Sequence, residues 1–86
     1  MAGSTGPRPV SVPIRTQQID LGSFLKLAGA AHTGGEAKLC VQRGDVRVND
    51  EPELRRRRAL HAGDVVSVAD GRSYMVQAPA AGPDRP

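Results

Sequence analysis

The chain has one cysteine, Cys40, and two aromatic residues, Phe24 and Tyr74, with no tryptophan. A single thiol forms no internal disulfide and assembles no cysteine-based metal site, and it fits a reducing cytosol. Two aromatics do not build the stacking platforms on which single-strand readers hold bases, worth about 1–3 kcal/mol per base. Any nucleic-acid binding therefore has to rest on phosphates and shape. No run of ~18 apolar residues is present to span a membrane. The opening stretch, MAGSTGPRPVSVP, lacks the apolar core of a secretory leader. At 86 residues the chain has room for one small domain.

The formal net charge is +3, but residues 14–76 hold ten basic and eight acidic residues, a net of +2. Bulk charge thus points only weakly to an anionic partner, and placement has to carry the argument. Residues 1–12 and 77–86 are rich in glycine, proline and alanine and read as flexible tails around a domain at 13–76. No internal repeat is visible.

Within the domain, residues 13–19 read as a short strand or extended lead-in. Residues 20–30 read as a helix with Asp20 as its cap, Leu21, Phe24, Leu25 and Ala28 on one face, and Gly29 at its end. Lys26 falls on the opposite, solvent side. Residues 32–44 form a second helix. Thr33 and Glu36 have capping-box spacing, Ala37, Cys40 and Val41 make the inner stripe, and Gly44 is the left-handed stop. Val46 and Val48 alternate with Arg47 as in a half-buried strand, and Asn49-Asp50 has turn chemistry. After the arginine run come a turn at 61–64, a buried strand at 65–69, an Asp70-Gly71 hairpin and a last strand at 72–76. The expected class is α+β: two packed helices followed by a small, mostly antiparallel sheet.

Arg55, Arg56, Arg57 and Arg58 are consecutive. In an extended segment neighbouring side chains alternate, so Arg55 and Arg57 share one side and Arg56 and Arg58 the other. A loop or bulge fans them differently, and the sequence leaves both arrangements open. The planar guanidinium suits phosphate, to which it donates two parallel hydrogen bonds. The bland alternative is a soluble, charge-dense turn. The start of the second helix, Thr33-Gly34-Gly35, offers free backbone N–H groups at a positive dipole end, and its glycines let a sugar–phosphate backbone approach. The competing explanation for those glycines is tight packing. Cys40 reads as a small core residue. His32 and His61 lack ligand or nucleophile partners at recognisable spacing, and Asp64 reads as a turn residue satisfying local backbone donors. No catalytic group, metal site, cofactor or small-molecule substrate is expected.

The motifs IDLGSFLKLAG, TGGEAKLCVQRGDVRVND and LHAGDVVSV, in that order from Ile19 to Val68, resemble the S-four RNA-binding domain, the fold named after the fourth small-subunit ribosomal protein. They are most similar to small stand-alone bacterial members. There Phe24-Leu25-Lys26, Thr33 to Lys38, Gly44 to Asn49, Arg55-Arg56 and Gly63 to Val66 have counterparts at matching spacing. The resemblance implies two helices packed on a small sheet, and an RNA-binding surface made by the helix pair with the adjacent strand and loop. It implies structured RNA as the partner, ribosomal RNA first and transfer RNA second. It carries Lys26, Lys38, Arg43, Arg55, Arg56 and Arg58 over as contacts. Three places depart from the family pattern. Gly34 stands where the wider family often has arginine, Asn49-Asp50 replaces Asn-Gly, and Arg57-Arg58-Ala59 replaces Gly-Lys-Lys.

The expectation is a non-enzymatic, cytoplasmic, monomeric RNA-binding protein of bacterial type. The alternative is a protein–protein interaction module docking on a ribosomal or other RNA-associated protein. That role needs an exposed apolar anchor, and few exposed large apolar groups are readable. Larger relatives join the domain to catalytic domains, for which this chain has no room.

Overall fold

The computed structural model describes residues 9–79. The order of elements there is β1 (Val10–Pro13), β2 (Gln18–Asp20), α1 (Leu21–Leu27), α2 (Gly34–Gln42), β3 (Val46–Val48), β4 (Glu51–Pro52), β5 (Ala59–His61), β6 (Val65–Val68) and β7 (Ser73–Gln77).

Asp20 starts α1 by accepting the Ser23 N–H at 3.0 Å and the Ser23 hydroxyl at 2.8 Å. Leu21, Phe24 and Leu25 then face inward and are fully buried, with Ala28 packed at the margin. The helix closes when Gly29, at φ +83°, donates to the Lys26 carbonyl and Ala30 donates to that of Leu25. These are the paired bonds of a Schellman end, which glycine reaches without steric cost. Thr33 caps α2 by accepting the Glu36 N–H at 3.0 Å. The return bond of the box comes one residue earlier than expected: the Glu36 carboxylate accepts the N–H of His32 rather than that of Thr33. Ala37 and Val41 are buried on α2, while Cys40 is half-buried and packs against the core.

The expected class holds as α+β, with two corrections to the arrangement. First, strands come before the helices as well as after them. The proposed tail at 1–12 loses its last residues to β1, whose partner is β7, and β7 extends to Gln77. The pairing joins segments about sixty residues apart and leaves the short strand exposed except for the half-buried Val12, so local composition hides it. Residues 1–8 and 80–86 of the two proposed tails lie outside the described residues. Second, the sheet is mixed. Its order is β1-β7-β6-β3-β4, with β1 parallel to β7 and the other pairs antiparallel. A separate antiparallel pair joins β2 to β5, Ile19 opposite Leu60.

The β3–β4 hairpin turns on Asn49 and Asp50, at φ 52° and 71°. Positive φ at both central residues is the requirement of the tight two-residue hairpin turn, and Asn and Asp tolerate it better than most residues. Asn49 has a second task. Its side chain donates to Asp64 at 3.1 Å and accepts the Val65 N–H at 3.0 Å, while the other Asp64 oxygen accepts the His61 N–H at 2.8 Å. The Gly63-Asp64 turn is thereby tied to the hairpin, which fixes where the segment between β4 and β5 leaves the sheet and returns.

A candidate nucleic-acid interface at the first helix

The segment between β4 and β5 carries the four arginines, and it is neither extended nor bulged. Glu53 enters it with its N–H donated to the Val46 carbonyl at 3.1 Å, and Arg58 N–H closes a tight turn on the Arg55 carbonyl at 3.1 Å. The turn sits on the start of α1. Leu21 N–H donates to the Arg58 carbonyl at 2.8 Å and Gly22 N–H to that of Arg56 at 2.9 Å. Two of the donors left unsatisfied at every helix start are thus used to dock the arginine turn. The docking is close: a Cβ on Gly22 would lie 2.7 Å from the Arg56 Cγ.

The turn sorts its arginines into two pairs, differently from strand alternation. Arg55 and Arg58, its ends, converge on one carboxylate. Arg58 Nη1 donates to Glu53 Oε1 at 2.7 Å, and Arg55 donates to Oε2 from both Nε and its backbone N–H, at 3.0 Å each. Glu53 is the one buried charged side chain among the described residues, only 6% exposed. Hydrogen bonds from Arg55 and then Arg58 outweigh its burial and hold its pKa down at about 2. Arg56 and Arg57, at the tip, form no ion pair among the described residues. They line an open concavity of about 550 Å³ together with Lys26 and Ser23 of α1, Gly34 and Ala37 of α2, Asp20 and Gly22.

Of the nine candidate positions, Lys26, Gly34 and Arg56 meet in this groove. Lys38 is exposed one helical turn beyond Gly34 and does not line it. The Thr33 hydroxyl is engaged as the cap of α2, and Gly35 is exposed beside it. Arg43 lies at the far end of α2, paired with Asp45 at 3.1 Å. Arg55 and Arg58 are committed to Glu53. The packing explanation for the glycines fails. A Cβ on Gly34 meets nothing within 4 Å, and one on Gly35 meets only Thr33 Oγ1 at 3.9 Å.

Three residues escaped the sequence reading: Arg57, Gly22 and Glu53. Arg57 stands where the family pattern has glycine, so the resemblance does not carry it over as a contact. Gly22 carried a signal, since an isolated glycine within a helical pattern often marks a close packing approach. Glu53 lies two residues before the run, and nothing in its local pattern distinguishes a buried acid from a solvated one.

Acidic groups do not close the groove to anions. Asp20 lines it as an ionised carboxylate hydrogen-bonded to Ser23, so with Lys26, Arg56 and Arg57 the lining keeps an excess of positive charge. Burial pushes the Asp20 pKa up, but those hydrogen bonds outweigh burial, and the nearby Arg57 adds a smaller contribution in the same direction. Phe24 and Tyr74 are both buried, at 0% and 5% exposure, so neither is available to stack on a base.

The fold is that of a small α+β domain with a basic groove over a helix pair. The family model for the S4 domain matches residues 12–77, and the chain belongs to that family. It is 46% identical over 65 residues to the probable ribosome maturation protein RlbA of Bacillus subtilis (strain 168), covering 76% of this chain and 92% of that protein. It is 38% identical over 60 residues to the putative RNA-binding protein YbcJ of Escherichia coli (strain K12), covering 70% and 84%. Among solved structures, the 30S ribosomal protein S4e from Thermoplasma acidophilum superposes with a TM-score of 0.55 at 23% identity, over 71% of this chain. The chain spans about a third of that protein, 32% of its length, and the likeness is one of fold.

Proposed function

We propose that the protein is a non-enzymatic, cytoplasmic RNA-binding protein that grips structured RNA, ribosomal RNA on a subunit or assembly intermediate foremost, at the groove between α1, α2 and the arginine turn. One observation carries the reading. Arg43 and Arg72 are each paired with an acid and Arg55 and Arg58 share Glu53, while Lys26, Arg56 and Arg57, which form no ion pair among the described residues, line one concavity. Three unpaired cations on two elements that cross near an open helix start suit consecutive phosphates of a folded backbone. With both aromatics buried, recognition rests on phosphate spacing and RNA shape rather than on stacked bases. The relatives, named as a probable ribosome maturation protein and a putative RNA-binding protein, support the same direction.

The test is fluorescence anisotropy on a labelled fragment of bacterial ribosomal RNA and a DNA duplex of matched length, across a salt series. The reading expects tighter binding to RNA with a log–log salt slope of about −2 to −3, as three phosphate contacts require. Equal, weak binding to both would overturn it.

A second reading, docking on a ribosomal or other RNA-associated protein, has its own observation. Leu27, Leu39 and Leu54 are more than half exposed, at 52%, 56% and 62%, so the surface is richer in large apolar groups than the sequence indicated. Co-sedimentation with ribosomes that survives nuclease digestion would favour that reading.

A further inference from the structure

We infer that Glu53 is a positioning residue for the groove: it holds both ends of the Arg55–Arg58 turn on one buried carboxylate and so presents Arg56 and Arg57 to phosphate. The inference rests on the RNA-binding reading above.

An acid in this place is not what an anion-binding surface calls for on charge alone. Glu53 removes one unit from the local positive charge and engages two of the four arginines. Deleting its charge would, by Coulomb's law, raise the attraction for RNA and free two more phosphate donors. The geometry supplies the reason for its presence. Glu53 is anchored to β3 through its backbone N–H on Val46. From there its carboxylate takes Arg58 on one oxygen and Arg55 on the other, which are the first and last residues of the turn. The turn's opposite side is fixed to α1 through the carbonyls of Arg56 and Arg58. The backbone is therefore held from the sheet and from the helix at once, and the two residues between the clamped ends point into the groove. A buried carboxylate stripped of its partners is strongly unfavourable, so the clamp stays closed in the absence of RNA. Arg56 and Arg57 then meet phosphate without first ordering the chain that carries them, which is how preorganisation raises affinity. Arg55 and Arg58 act as the frame, and Arg56 and Arg57 as the contact.

The discriminating variant is Glu53→Gln, which keeps the shape and raises the net charge by one. Its affinity for the labelled ribosomal RNA fragment is measured across salt, with circular dichroism and a thermal melt to establish the fold. The expected result is a folded protein that binds at least about fivefold more weakly despite its greater positive charge, with a salt slope no steeper than that of the wild type. Replacing Arg56 and Arg57 with alanine in this background should then cost less than in the wild type. Equal or tighter binding, with a slope steeper by about two as the released Arg55 and Arg58 reach phosphates, would overturn the inference while leaving the RNA-binding reading intact. Should Glu53→Gln not fold, Glu53→Asp answers in its place at unchanged net charge. Weaker binding supports the positioning role, and affinity within twofold of the wild type overturns it. A wild-type protein without preference for RNA overturns both.

Discussion

Gly22 and Arg56 are in contact at the backbone: the Gly22 N–H donates to the Arg56 carbonyl at 2.9 Å, and the Arg56 Cγ occupies the place of the missing Gly22 side chain. The glycine thus couples the start of α1 to the arginine turn. Gly22→Ala should separate stability from binding. Alanine gains up to about 1 kcal/mol of helix propensity. The 2.7 Å contact forces the Arg56 stem aside, which offsets that gain. The expected outcome is a midpoint in urea close to the wild type, with RNA affinity reduced several-fold in anisotropy. A variant with unchanged affinity would mean that the Arg56 position is not set by this contact.

Gly34 gives the opposite test, because there is room for a side chain. Gly34→Ala should stabilise the protein by about 0.5 kcal/mol, the propensity gain reduced for a first turn. If phosphate approaches the open start of α2, the added methyl group weakens RNA binding although the fold is firmer. Chemical denaturation and anisotropy on the same preparation give both numbers. A stabilised variant that binds as tightly as the wild type would take Gly34 out of the interface.

The pH dependence of stability follows from Glu53. Its carboxyl is depressed from an ordinary 4.5 to about 2 by Arg55 and Arg58. A carboxylate with a depressed folded pKa contributes stability that is present above the unfolded value and lost as pH falls through the folded one. The wild type should therefore lose melting temperature progressively between about pH 4.5 and pH 2. Asp20 and Asp70 are shifted in the same direction, by Ser23 and Arg72 respectively. They remain in Glu53→Gln, so the difference between the two proteins isolates Glu53. The prediction is a gap in melting temperature that closes as the solution is acidified, measured by circular dichroism. A gap that stays constant would show that the carboxylate is not clamped.

Elements whose determinants are local were legible in the sequence. Asp20, Thr33, Gly29 and Gly44 mark the helix ends because caps and left-handed stops depend on a few adjacent residues. Val46 and Val48 reveal their strand through alternation. Lys26 and Arg56 follow from the family resemblance, and Gly34 from the glycines at the open start of the second helix. What escaped depends on distant partners. β1 becomes a strand through β7, at the other end of the domain. The split of the arginines into a clamping and a free pair is set by Glu53 and by the carbonyls docked on α1. Arg43 comes from the family resemblance, but nine positions along the helix separate it from Gly34 by about 13 Å.

The most direct test of the central claim compares Arg56→Ala/Arg57→Ala with Arg43→Ala/Arg72→Ala, two folded variants of equal net charge, on the same ribosomal RNA fragment across a salt series. If the unpaired tip arginines grip phosphate, the first variant should lose at least about tenfold in affinity, and its log–log slope should be shallower by about 1.5 to 2. The second should stay within about twofold, since Arg43 and Arg72 are already neutralised by Asp45 and Asp70. Equal losses in the two variants would contradict the account, because binding would then follow net charge and not the groove.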